Sequence, residues 1–91
     1  MANDAKEIAE FVQRALKDID VDFDEIEARV LTPRDGQERL LVEQFWNELM
    51  IFVHDFDIRR KDPEYSEKKG ERLRCAVSSL ELIGLLPRIK S

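Results

Sequence analysis

The sequence predicts an all-α fold: a small antiparallel helical bundle of three long helices plus one short helix, with dimerisation as a means of completing it. Three observations carry this. Apolar residues recur at three- and four-residue spacing over most of the chain, and residues that cap or open helices mark the starts. Strand-like alternation is confined to Ile19, Val21 and Phe23. The 91 residues, 43% apolar and 38% charged, suit one domain over 1–91 with a single small core. A core of that size gives marginal stability, which a partner subunit would raise.

In the first element, Ala5, Ile8, Phe11, Val12, Ala15, Leu16 and Ile19 fall on one arc at about 100° per residue, with Lys6, Glu10, Gln13 and Lys17 opposite. This spacing predicts an amphipathic helix from about Asn3 to Asp18.

The next stretch, DIDVDFDEIE over residues 18–27, holds six carboxylates in ten residues. Asp22 and Glu25 have the spacing of a helix N-cap and its N3 carboxylate, and Val21 and Ile26 stand where a hydrophobic staple closes such a turn. Phe23, Ile26 and Val30 then continue as a short second helix, whose positive N-terminal end favours carboxylates. A calcium loop fits worse. Counted from Asp18 or Asp20, the glycine position holds Phe23 or Glu25, and the bidentate twelfth position holds Arg29 or Leu31. An Asp-x-Asp phosphoryl-transfer site would need a parallel sheet that the chain lacks the strands to build.

Thr32 and Pro33 read as the cap and first residue of a third helix, with Gly36 in its first turn as a reason for a later start. It carries the densest apolar run, LLVEQFWNELMIFVHDFDI over residues 40–58, too short and too charged to span a bilayer. Leu41, Val42, Phe45, Trp46, Leu49, Met50, Phe52, Val53 and Phe56 fill an arc of about 180°, wider than one neighbouring helix covers. As one helix, residues 33–60 would reach about 42 Å, against a diameter of about 32 Å for a domain of this size. The helix therefore bends, begins late, or projects towards a second subunit.

Outside that arc, Leu40, Ile51 and Ile58 lie within about 20° of one another, with Gln44, Asn47 and His54 between them. The row Leu40, Gln44, Asn47, Ile51, His54, Ile58 is a mixed seam of the kind that sets register in a helix-to-helix contact. Either another helix of the same chain covers it or a second molecule does. Asp62 and Pro63 repeat the cap-and-proline device and open the last helix, whose face is Tyr65, Leu73, Ala76, Val77, Leu80 and Ile83, with Gly84 alongside and Pro87 ending it. Gly70 lowers its helix propensity by about 1 kcal/mol relative to alanine, so its first two turns are expected to fray.

Candidate chemistry is sparse. His54 is the single histidine, with Asp57 three residues on, and a Glu-x-x-His metal pattern would need glutamate where Ile51 stands. The pairs Glu7 and Glu10, and Glu64 and Glu67, resemble the carboxylate helices of magnesium-dependent nucleotide pyrophosphohydrolases, though Glu at such spacing is common on solvated faces. That resemblance implies a hydrolase as the least favoured function. Cys75, the single cysteine, excludes an intrachain disulfide, fits a reducing compartment, and reads as a small packing residue. No catalytic residue, metal site or cofactor is implied.

The net charge of −5 is uneven: residues 1–31 hold nine acidic and four basic side chains, and residues 32–91 hold eleven of each. An acidic chain does not release counterions from phosphates, so no nucleic acid is expected. The basic cluster Arg59, Arg60, Lys61, Lys68, Lys69, Arg72 and Arg74 is interleaved with acids and reads as a solvated helix face. With no leader-like or membrane-spanning stretch, a cytoplasmic protein is expected. By elimination, the expected function is non-enzymatic protein–protein interaction through the seam, with a homodimer or another protein as partner. The alternative is an acidic inhibitor of immunity- or antitoxin-like kind, presenting Asp18, Asp20 and Asp24 to a basic enzyme.

Overall fold

The computed structural model describes residues 4–17 and 19–87, and these are all-α. The helices are α1 (Ala5–Leu16), α2 (Asp24–Glu27), α3 (Gly36–His54), α4 (Phe56–Lys61) and α5 (Pro63–Leu82), with no strand among the described residues. Two short helices accompany the three long ones where the sequence predicts one, because the central helix is divided. The expected ends of the first helix, at Asn3 and Asp18, lie outside the described residues.

α3 begins three residues later than Thr32-Pro33 predicts. Its cap is Asp35, whose carboxylate accepts the Glu38 N–H at 2.9 Å. Glu38 turns back to accept the Arg34 N–H at 2.9 Å and the Arg34 guanidinium at 2.7 Å, so two side chains satisfy two unpaired backbone donors in a box-like arrangement. The Arg34 bond holds the Glu38 carboxyl below the usual carboxylate range. Arg34 also donates to the Ile83 carbonyl at 2.6 Å, tying the start of α3 to the end of α5.

α3 ends at Asp55, which is at once its C-cap and the N-cap of α4. Neither proline nor glycine marks this break. It is held by side chains: the Asp55 carboxylate accepts the Tyr65 hydroxyl at 2.5 Å, and Arg59 Nε donates to the Phe52 carbonyl at 2.8 Å in the last turn of α3. Arg59, expected on a solvated face, is 4% exposed, with its guanidinium stacked 3.6 Å over the Phe52 ring. Dividing the helix also resolves its excess length. The molecule measures 39 × 22 × 22 Å with a radius of gyration of 12.7 Å, so helix length no longer argues for a second subunit.

α5 opens as predicted, with Asp62 accepting the Tyr65 N–H at 3.1 Å and Pro63 in the first turn. α5 is helical from Pro63 onward rather than frayed in its first two turns, and Gly70 is buried within it against Phe52. The helix closes in a Schellman turn: Leu85 N–H donates to the Leu80 carbonyl at 2.9 Å and Gly84 N–H to that of Glu81 at 3.1 Å. Gly84 takes a φ of 80°, which favours glycine, and the turn folds Leu85 and Leu86 into the core. α3 and α5 run in opposite directions, as the pairs Arg34 with Ile83, Phe52 with Gly70 and Asp55 with Tyr65 require.

One core cluster joins the helices, from Ile8 on α1 through Phe45 and Leu49 on α3 to Leu73 and Leu80 on α5, all fully buried. The apolar arc of α3 is narrower inside than the sequence predicts: Val42, Phe45, Leu49, Phe52 and Val53 are buried, while Met50 is exposed and Phe56 belongs to α4. Ile19 and Val30, expected to continue helical faces, stand exposed outside the helices.

Two stability predictions follow from this packing. Alanine at Gly70 would place its Cβ 3.7 Å from Phe52 Cε1 and 3.5 Å from Arg74 Nη1, ordinary contact distances. Gly70→Ala is therefore expected to raise stability in urea denaturation by about 0.5–1 kcal/mol through helix propensity. Arg59→Ala removes a charged donor and a ring contact and is expected to lower it by about 2–3 kcal/mol. Arg59→Lys should recover only part of that loss, because an ammonium lacks the planar stacking surface.

Candidate functional site

Helical periodicity gives α3 two faces, and only one meets the core. The other carries Leu40, Gln44, Asn47, Ile51 and His54. Leu40 is 66% exposed, Gln44, Asn47 and His54 are exposed, and Ile51 is half-buried. Ile58, the sixth residue of the predicted seam, is 51% exposed but lies beyond the Asp55 break on α4. The seam is therefore not one straight row: five residues share α3, and the last follows a separate axis. Among the described residues, no helix covers the α3 part.

Each margin of this face is a groove. On one side the Phe23 ring meets Trp46 edge-on at 6.1 Å and His54 at 5.8 Å, leaving a shallow, largely apolar groove with Asn47 and Met50. α2 and the segment that follows it are held there by ion pairs to α1, Arg14 with Glu25 at 2.7 Å and Arg29 with Glu7 at 2.5 Å. On the other side lies an open groove of about 580 Å³ between α3 and α5, lined by Gln44, Glu48, Tyr65, Lys68, Lys69 and Arg72, among others. Glu48 Oε1 is buried without a hydrogen-bond partner among the described residues. Tyr65 sits between the helices, and donation to Asp55, with desolvation, pushes its hydroxyl pKa above the ordinary value.

Of the acidic stretch over residues 18–27, Asp22 and Glu25 are engaged within the chain, and Asp4 joins them from the start of α1. Asp22 accepts the Asp24 N–H at 3.0 Å, Glu25 pairs with Arg14, and Asp4 accepts the Val30 N–H at 3.1 Å. The Asp22 bond stands at the start of the one-turn helix, where the sequence predicts a cap. Asp18 lies outside the described residues. Asp20 and Asp24 are exposed, and their carboxylates have no ion pair among the described residues. Of the carboxylate pairs weighed for metal chemistry, Glu7 is engaged by Arg29. No three His, Cys, Asp or Glu side chains among the described residues are grouped to hold a metal.

Cys75 departs from its expected role as a packing residue: it is exposed and lines the groove between α3 and α5. Sequence reasoning also missed that groove. Its signal was present in the spacing of Tyr65, Lys68, Lys69, Arg72 and Cys75, which places them along one side of α5. What spacing alone did not supply was the opposing wall, Gln44 and Glu48 on α3.

Comparison with known proteins adds no relative: no protein family, curated protein or solved structure matches the chain. No helix among the described residues is long and apolar enough to cross a membrane.

Tyr65 gives a pH test of this region. Its folded pKa is raised, so its contribution to stability is present below the unfolded value of about 10 and is lost as pH rises through the folded value. Stability measured by urea denaturation from neutral to strongly alkaline pH is expected to fall in that window, and Tyr65→Phe should flatten the fall. Tyr65 is the single tyrosine, so tyrosinate absorbance reports the same titration directly.

Proposed function

We propose that this protein works without catalysis, by protein–protein interaction through the exposed face of α3. The observation that carries the reading is the uncovered Leu40 to His54 stripe, which presents leucine and isoleucine between amide and imidazole groups and is flanked by a groove on either side. An exposed leucine and a half-buried isoleucine in a row with interleaved polar groups suit a helix-to-helix contact. Self-association and capture of a different protein would use the same surface.

A second reading, an acidic inhibitor of a basic enzyme, is favoured only by the exposed Asp20 and Asp24. The neighbouring Asp22 and Glu25 are engaged within the chain, which leaves that surface a smaller charge than the sequence implies.

The test is absolute mass by light scattering over a wide concentration range, paired with Ile51→Glu. A charge at this half-buried position is expected to weaken at least about tenfold whatever association the face supports, with a second copy or with a different protein, because a carboxylate enclosed in an apolar contact is desolvated without a partner. Circular dichroism should show helicity largely retained. Association undiminished in Ile51→Glu would rule out this face.

A further inference from the structure

We infer that the α3 face receives an amphipathic helical segment of another protein, apolar on its contact side and acidic along the edge that lies over α5. The inference rests on the reading of α3 as an interaction surface and specifies the chemistry of the partner. Lys68, Lys69 and Arg72 line the groove beside α3 together with the acids Glu48 and Glu71, and none of the three cations makes an ion pair among the described residues. Lys69 lies 5.5 Å from the centroid of the Tyr65 ring, which holds its ammonium over the groove rather than beside an acid. Gln44 belongs both to this groove and to the exposed face, and Ile51 stands one helical turn from Glu48, so the cationic edge and the apolar stripe are contiguous.

An occupant of Leu40, Gln44 and Ile51 therefore has along one side three cations without an ion pair among the described residues, against the groove's two acids. Carboxylates on that side would gain charge complementarity, which governs partner choice and association rate more than contact area does. Glu48 adds an independent requirement. Its buried Oε1 has no donor among the described residues, so a hydroxyl or amide from the partner would complete it.

A second copy of the chain meets these requirements poorly. Two-fold pairing of antiparallel α3 helices sets the same edge of each protomer against the other, opposing the two sets of Lys68, Lys69 and Arg72. Nor do the acidic helices among the described residues offer a suitable face. The acids of α1 and α2 sit on helices whose apolar residues, Ile8, Phe11, Val12 and Ile26, are buried in the core.

The experiment uses the full chain and two labelled helical peptides of about 18 residues, roughly the length of α3. Both carry leucines at three- and four-residue spacing; one is flanked by glutamates and the other by lysines. In fluorescence anisotropy the glutamate peptide is expected to bind at least about tenfold tighter, with the preference shrinking as salt is raised. Lys68→Glu, Lys69→Glu and Arg72→Glu combined should reverse the preference, and Ile51→Glu should weaken both peptides alike. Equal binding of the two peptides, or of neither, would overturn the acidic-partner inference while leaving α3 as the contact face. Retained preference in the charge-reversed triple variant would overturn it as well. A stable dimer that excludes the glutamate peptide would assign the face to a second copy instead. Undiminished binding after Ile51→Glu would remove the α3 reading itself.

Discussion

The arrangement of this protein turns on the Arg59 guanidinium, buried at the junction of α3 and α4. Enclosing a charge is unfavourable unless its donors and its face are satisfied, and here Nε meets the Phe52 carbonyl while the plane stacks on the Phe52 ring. That carbonyl belongs to the last turn of α3, where the helix runs out of its own donors. The arginine therefore acts as a C-terminal cap supplied from the next helix. With Asp55 bonded to Tyr65, it limits α3 to 19 residues and directs α4 against α5. Without this junction, residues 33–60 would form a rod longer than the molecule itself, about 42 Å against its 39 Å long axis.

The acidic N-terminal third illustrates how charge can be architectural. Its carboxylates accept backbone N–H groups beside the one-turn helix α2 and at Val30, and pair with Arg14 and Arg29. Each exposed pair contributes little by itself, typically under about 1 kcal/mol. Together they orient a helix too short to be stable alone, and that orientation brings Phe23 onto Trp46 and His54. One margin of the exposed α3 face is consequently aromatic.

The other margin depends on the α3–α5 pairing. Because the two helices run in opposite directions with Tyr65 bonded to Asp55, the first half of α5 lies beside the second half of α3 and sets three cations along its edge. The two margins differ in chemistry, one aromatic and one cationic. A surface with unlike edges distinguishes the direction and the sides of an incoming helix, which a uniformly apolar stripe does not.

The sequence by itself determined the helical class, the inward residues of α1 and α5, the start of α5 at Asp62 and Pro63, and which residues of α3 form a row outside its apolar arc. These follow from local chemistry: side chains three or four residues apart share a face, and a cap bonds backbone a few residues away. Tertiary structure alone decided the break at Asp55, the burial of Arg59, the exposure of Cys75 and the pairing of α3 with the cationic side of α5. It also favoured Asp35 over Thr32 as the cap of α3, since Glu38 and the Ile83 carbonyl both engage Arg34 there. Tyr65 is ten residues from Asp55, and Ile83 is forty-nine from Arg34. Contacts at such separations exist only once the helices have packed, and periodicity along one helix does not specify which neighbour completes its side chains.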